Sequence, residues 1–146
     1  MLNMKVYGGQ ITKNFNLDEF KCKANGEMLI NADVICHIQR LQGFRDWFNR
    51  PMSITSGYRT PAYNSQVGGV KNSQHILGIA TDVLLPPEYK IFSPTRKKEF
   101  QINVQNKWSE LCRCSGLQGG VGWYETSGFF HLDSREGSGA LVVWYG

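Results

Sequence analysis

A histidine and an aspartate stand seven positions apart in the stretch SQHILGIATD, where His75 precedes Asp82. Gly78 and Ala80 lie between them, and residues this small let two polar side chains approach one point. Imidazole nitrogens and carboxylate oxygens are both ligands of zinc. A strand aspartate paired with a nearby arginine, beside an unrelated loop histidine, would show the same spacing. The stretch alone therefore leaves a metal site and an ordinary strand entrance open.

A second histidine and aspartate occur together in the stretch FFHLDSR. Strand alternation places His131 and Asp133 on one face, about 7 Å apart at Cα. Two imidazoles and one carboxylate with an open fourth position are typical of hydrolytic zinc sites, and His75, Asp82 and His131 would supply that set. Asp133 could then orient the imidazole or take a proton from a zinc-bound water. The alternative is a plain surface pair between Asp133 and Arg135, which share that face.

The third histidine and the four cysteines are weaker candidates. His37 lies inside an amphipathic segment with no obvious acidic partner, so we expect a core or surface histidine. Cys112 and Cys114 have a Cys-x-Cys spacing that is poor for chelating zinc. We expect these two, with Cys22 and Cys36, to be buried free thiols.

Length and charge set limits on the function. A chain of 146 residues with 41% hydrophobic content is the size of one domain, over residues 1–146. The net charge of +4 is spread along the chain, and its densest cluster, residues 96–98, falls on a predicted helix as a solvated face. No basic run is interleaved with aromatic residues, so we expect no nucleic-acid partner.

Targeting signals are not evident in the sequence. The opening MLNMKVYGGQITKNF has no charged region followed by a long apolar stretch, and no run approaches the ~20 apolar residues of a membrane span. We therefore expect a protein synthesised in the cytoplasm without a signal peptide and with no membrane span.

Hydrophobic periodicity and capping signals predict the secondary structure. Helical spacing predicts one helix over 33–48, before Pro51, and a second from the Ser93–Pro94 pair to about Gly116. A capping box in NFNLDEF predicts a short helix, and YRTPAYNSQVGGVKNSQ is expected to be a long loop. Five strands are predicted, in MSITSG, IATDVLL, GGVGWY, GFFHLDSR and ALVVWYG, the third and fourth joined by the hairpin loop ETSG. Together these elements predict a single α+β domain.

Four stretches carry a family resemblance: NFNLDEFKC, SGYRTPAYN, GGVKNSQHILGIATD and GVGWYETSGFFHLDSR. They resemble the zinc D-alanyl-D-alanine carboxypeptidase family, in its branch of small single-domain phage and bacterial peptidases. The resemblance covers nearly the whole chain, and Ser-x-His-x-x-Gly-x-Ala-x-Asp is a specific motif. It implies a central, mainly antiparallel sheet with flanking helices, as in DD-peptidases and hedgehog domains. It also implies Zn2+ as cofactor, with His75, Asp82 and His131 as the metal ligands.

The resemblance also implies roles for two residues near the metal. Arg59 in SGYR matches the arginine that faces the substrate carbonyl or terminal carboxylate in such peptidases, a task that suits a planar guanidinium. The alternative for Arg59 is a structural pin for the long loop. Ser73 would help to orient the substrate, although a serine that caps its own loop is equally compatible with the sequence.

The general base is where this chain departs from part of the family. Many relatives carry Asp or Glu three residues before the last zinc histidine, and that position here is Gly128. Asp133 is one pleat repeat from His131 on the same face, whereas Glu125 lies several strand residues away, near the hairpin tip. We therefore favour Asp133 as the base, with Glu125 as the alternative if the hairpin is bent.

The resemblance implies a zinc metallopeptidase that hydrolyses a D-Ala-containing amide bond in peptidoglycan stem peptides or cross-links. It would be a DD-carboxypeptidase or endopeptidase that acts on the cell wall as a monomer. A phage endolysin, released through holin-type membrane holes, is one setting for such an enzyme. The alternative is a zinc-stabilised, non-catalytic binding module of the same fold, since hedgehog domains serve as ligands for receptors. Arg59, Ser73 and the spare acid Asp133 favour the enzyme.

Overall fold

Five strands form one sheet in the computed structural model, which describes residues 9–146; the start of the opening stretch assessed above for a leader lies outside the described residues. The strands are β1 Ile54–Ser56, β2 Ala80–Leu84, β3 Gly120–Tyr124, β4 Phe129–Asp133 and β5 Val142–Tyr145. Their order is β1-β2-β4-β3-β5. Every neighbouring pair is antiparallel except β3 and β5. The prediction of an α+β fold with a mainly antiparallel sheet is confirmed.

Three α-helices accompany the sheet: α1 Ala32–Phe48, α2 Pro61–Gln66 and α3 Pro94–Arg113. The side chain of Asn31 caps α1 by accepting from the amide of Val34, and Ser93 caps α3 in the same way. The two long predicted helices are therefore confirmed, although α3 ends three residues before the expected Gly116. The capping box at Asn16 is present, and it starts a 3₁₀-helix, Leu17–Phe20. A second 3₁₀-helix, Pro87–Ile91, was not predicted.

The expectation of a long loop after β1 is wrong in part, because α2 lies within it. Thr60 accepts a hydrogen bond from the amide of Tyr63, and Pro61 stands at the first helical position. These are the standard signals of a helix start. A helix of six residues is too short to show an apolar stripe, so periodicity could not reveal it.

Helices α1 and α3 pack on one face of the sheet and form the core with it. Alternate residues of β4, Phe130 and Leu132, point into this core and are fully buried. Val83 of β2 and Trp108 of α3 pack in the same cluster. His131 and Asp82 occupy the intervening positions of β4 and β2, and they therefore lie on the opposite face.

His37 lies between α1 and the sheet and is fully buried. Its Nε2 is 2.9 Å from the hydroxyl of Thr81, and its Nδ1 is 2.6 Å from the hydroxyl of Ser134. Burial lowers the pKa of His37 to about 3, and the charge of Arg40 acts in the same direction. This histidine is a core residue, which was one of the two expected alternatives.

The four cysteines are unpaired, as expected, but only two of them are buried. Cys22 and Cys112 lie in the interior, whereas Cys36 and Cys114 are exposed. The expectation of burial is wrong for the exposed pair because Cys36 is on the outer face of α1 and Cys114 is the C-cap of α3. Among the helices of residues 9–146, none is long and apolar enough to cross a membrane.

The state of His37 predicts how stability depends on pH. The unfolded chain binds a proton on this imidazole below about pH 6.5, whereas the folded chain keeps it neutral down to a pKa of about 3. The unfolded state therefore binds more protons in this window, and the free energy of unfolding decreases as the pH falls. Between pH 7 and pH 5, this group should remove up to about 2 kcal/mol. Urea titrations of the wild type and of His37→Gln measure the effect, since the variant should show the smaller loss. Equal losses in both proteins would contradict the assignment.

Candidate metal centre

Two adjacent strands and one turn bring three predicted metal ligands together. Asp82 and His131 are directly paired across β2 and β4. His75 lies in the turn before β2, and this turn closes through a hydrogen bond from the amide of Gly78 to the carbonyl of His75. Gly78 has a φ of +72°, and a Cβ there would be 2.8 Å from a methyl of Val34. Glycine is needed here for the turn conformation and the close approach to Val34, and not to clear space between His75 and Asp82 as the sequence analysis supposed.

The three side chains converge on one point. Oδ1 of Asp82 is 3.2 Å from Nε2 of His75 and 2.9 Å from Nδ1 of His131. One ligand atom from each residue lies within 4.8 Å of the other two, and all three residues are buried. The two imidazole rings are 5.1 Å apart at an angle of 67°, so they approach the carboxylate from different directions. This donor set is the one predicted from the sequence.

The outer nitrogen of each imidazole is fixed by an acceptor. Nδ1 of His75 is 2.7 Å from the carbonyl oxygen of Gly57, and Nε2 of His131 is 2.8 Å from Oδ2 of Asp133. These oxygens accept, so both outer nitrogens donate to them, and both inner nitrogens face Oδ1 of Asp82. Two imidazole nitrogens and a carboxylate oxygen that converge in this way can hold a proton between them or bind a cation. The residues therefore fit a zinc ion, and the hydrogen-bonded outer nitrogens are typical of metal-binding histidines.

Burial and neighbouring groups act in opposite directions on the pKa values of Asp82 and His131. Burial acts to raise the pKa of Asp82, but hydrogen bonds from His131 and His75 outweigh it and hold the pKa well below its usual range. Burial opposes the charging of His131, yet the carboxylates of Asp133 and Asp82 together raise the pKa of this imidazole. Asp82 is thus an ionised carboxylate in a largely water-free position, which is the form that a cation binds.

Arg59 lies beside the donor set and is held on three sides. Its Nη2 is 3.4 Å from Oδ2 of Asp82, its Nε donates to Ser56 at 3.2 Å, and its Nη1 donates to Asn64 of α2 at 3.2 Å. Arg59 also lines the cleft above the donors. The contact with Asn64 is the loop pin that was one alternative, while the position in the cleft is what substrate binding requires. Both features are present in the same side chain.

Ser73 also combines the two arrangements that the sequence left open. Its hydroxyl accepts a hydrogen bond from the amide of His75 at 3.2 Å, so it caps the turn that carries the first donor. The residue is nearly buried, and it lies at the wall of the cleft.

Asp133 lies behind His131, and it does not line the cleft. Its side chain is fully buried, and Arg135 binds it through two hydrogen bonds, Nε to Oδ1 at 2.9 Å and Nη2 to Oδ2 at 2.7 Å. Burial would raise the pKa of Asp133, but Arg135 and His131 outweigh it and hold the pKa well below its usual range. The plain surface pair with Arg135 that was considered is therefore a buried one, and the carboxylate is fully engaged.

Glu125 is directed to a different part of the molecule. Its carboxylate accepts from the hydroxyl of Tyr89 at 2.5 Å and from the side-chain amide of Gln101 at 2.7 Å. It does not line the cleft either. Among residues 9–146, Asp82 is the one carboxylate that lines this cleft.

The donors form the floor of a cleft of about 520 Å³. One wall is the loop of residues 67–74 with Arg59, and the other contains Tyr124, Phe129, Arg135 and Trp144. The sequence analysis did not identify Trp144 or a cleft role for Arg135. The nearest signal was Gly122, a residue without a side chain in the middle of a strand; it leaves space beside its partner His131 but does not indicate that Trp144 fills that space.

Comparison with known proteins identifies the family of the chain. No curated protein matches the chain. A protein-family model described as Peptidase M15 matches residues 13–133. The matched region contains the three donors, Arg59 and Ser73, and it ends before Arg135 and β5. Because the match covers most of the chain, the protein belongs to the peptidase M15 family, the zinc D-Ala-D-Ala carboxypeptidase-like peptidases.

Proposed function

We propose that the protein is a zinc peptidase that hydrolyses a D-Ala-containing amide bond in peptidoglycan stem peptides or cross-links, as a DD-carboxypeptidase or endopeptidase. The observation that carries this proposal is the set of His75, Asp82 and His131 at the floor of an open cleft. Membership of the M15 family supports a zinc peptidase. The stem-peptide substrate is the part that the family resemblance adds.

The residues of the chain divide the work in the cleft. His75, Asp82 and His131 would hold the metal, which when bound acts as a Lewis acid and lowers the pKa of a coordinated water to about 7. Arg59 stands next to Asp82, where its guanidinium can hold a substrate carbonyl oxygen or terminal carboxylate. Ser73 keeps His75 in place by capping its turn, and it contributes to the wall that the substrate contacts.

For Asp133 we propose a positioning role in place of the base role that strand geometry favoured. The carboxylate keeps a proton on Nε2 of His131 and so leaves Nδ1 free to face the metal position. A group that is fully buried and bound twice by Arg135 is poorly placed to take a proton from the cleft. Glu125 would have to leave Tyr89 and Gln101 to reach the cleft.

A second candidate function is a zinc-stabilised binding module of the same fold. The observation that favours it is the lack, among residues 9–146, of a cleft carboxylate besides Asp82 that could serve as a base. For the cellular setting we propose a monomer that acts on the cell wall, with a phage-type lysin released through holin-type holes as the setting that the resemblance offers.

The reaction is tested with cross-linked peptidoglycan fragments. The zinc-loaded protein should release D-Ala or open cross-links. Protein treated with a chelator should not, because the proposed hydrolysis requires the metal. Mass spectrometry of the fragments measures this, and the product mass identifies the bond. No metal-dependent product from several wall chemistries would leave the binding module as the function.

Removal of one donor should remove the metal. His75→Ala leaves Asp82 and His131 alone, and two ligands hold zinc far more weakly than three. We expect about one zinc per chain in the wild type and nearly none in the variant after dialysis, as measured by elemental mass spectrometry. Asn72→Ala, at an exposed position of the same loop, is the matched control and should keep its zinc. Full zinc content in His75→Ala would remove this residue from the donor set.

The two roles considered for Asp133 make different predictions for Asp133→Asn. If Asp133 is a positioning residue, the substitution should weaken zinc affinity by about 10–100-fold, because it impairs the hydrogen bond that orients His131. If Asp133 is the general base, the substitution should instead abolish cleavage and leave zinc affinity unchanged. Competition with a chromogenic chelator measures the affinity, and circular dichroism checks the fold. Glu125→Gln is the companion variant and should alter neither the affinity nor the cleavage rate.

A further inference from the structure

Strand β5 forms a wall of the cleft that lies beyond the matched family region. Trp144 pairs with Gly122 of β3, and a Cβ on Gly122 would come within 2.6 Å of the indole ring. The indole therefore rests on the bare backbone of the glycine. Its Nε1 donates to the hydroxyl of Tyr124 at 2.8 Å, and its ring lies 5.1 Å from the imidazole of His131. Trp144 is thus held in one orientation beside the metal position.

Arg135 lies against this wall. Its guanidinium carbon is 5.0 Å from the centre of the Trp144 ring, a cation–π contact, while Nε and Nη2 are bound to Asp133. Contacts on two sides fix the guanidinium in a plane. Arg135 lines the cleft, and its side chain is 27% exposed.

The two arginines of the cleft differ in how many hydrogen-bond donors remain free. Arg59 already donates once from each of its three nitrogens, to Ser56, Asn64 and Asp82, which leaves one N–H on each of Nη1 and Nη2. Nη1 of Arg135 has no hydrogen-bond partner within the described part of the chain. A guanidinium that is oriented beforehand loses little entropy when it binds one more acceptor, and a carboxylate is its strongest partner.

We propose that Arg135, held against Trp144, is a specificity-determining residue that binds a carboxylate of the substrate through Nη1. The apolar face of Trp144 would contact the alkyl part next to that carboxylate. The preferred peptide therefore has a free carboxylate on the β5 side of the cleft, and its amidated form binds poorly. The peptide nature of this substrate rests on the proposed function.

The test measures binding, so that it does not depend on cleavage. The probes are a stem pentapeptide ending in D-Ala-D-Ala and versions in which each carboxylate in turn is replaced by a carboxamide. Chelator-treated protein avoids turnover, and the indole N–H signal of Trp144, assigned with Trp144→Phe, reports binding in NMR titrations. For the wild type we expect one of the replacements to weaken binding by about tenfold or more, as the loss of a hydrogen bond between charged groups does.

Variants at Arg135 then identify the residue responsible. Arg135→Gln should bind the acid and the amide form of that peptide equally. Because this change leaves Asp133 without its cation, Arg135→Lys is the second variant, and it should fold while losing most of the discrimination. Arg113→Gln, an exposed residue at the end of α3, makes the same change in charge and should discriminate as the wild type does.

Three results would overturn the proposal: equal binding of every peptide by the wild type, no binding of any peptide, or full discrimination by both Arg135 variants. The proposed function fails separately. Discrimination without metal-dependent cleavage of wall fragments would support the role of Arg135 and reject the peptidase. Cleavage without discrimination would support the peptidase and reject the role of Arg135.

Discussion

One carboxylate oxygen that faces two imidazole nitrogens is the contact on which the site depends. Oδ1 of Asp82 lies 3.2 Å and 2.9 Å from the inner nitrogens of His75 and His131, in a position that water scarcely reaches. A buried carboxylate without compensating charge costs several kcal/mol. The surrounding residues act mainly to make this position tolerable, either by orienting the imidazoles or by adding positive charge, as Arg59 does.

The register of β2 against β4 determines whether that contact exists. Asp82 is opposite His131 in the pairing, and the flanking pair Val83 and Phe130 is fully buried against the helices. A shift of β2 by one residue against β4 would turn Asp82 toward the core and expose Val83. The hydrophobic pattern of the two strands and the position of the donors are therefore one constraint, which helices α1 and α3 enforce through packing.

The features that the sequence predicted are those that depend on local pattern. Periodicity and capping signals located α1, α3 and the strands, a specific motif located His75 and Asp82, and the family resemblance added His131. The role of Asp133 could not be derived in this way, because strand alternation gives the face of a residue and not its burial. Its engagement depends on Arg135, which could equally have pointed to solvent. The contribution of Trp144 to the cleft depends on the parallel pairing of β5 with β3, which no local signal indicates.

His37 connects the helical layer to the back of the donor strands. It contacts Thr81, the neighbour of Asp82, and Ser134, the neighbour of Asp133, and Arg40 of the same helix also donates to Ser134. The residues that contact His37 are therefore sequence neighbours of the candidate donor Asp82 and of Asp133, which binds His131. Anything that binds the folded state alone stabilises it by mass action. An ion bound at the candidate site would thus be thermodynamically linked to the helical layer, so that loosening α1 should lower metal affinity from a distance, and occupancy of the site should tighten the packing of α1.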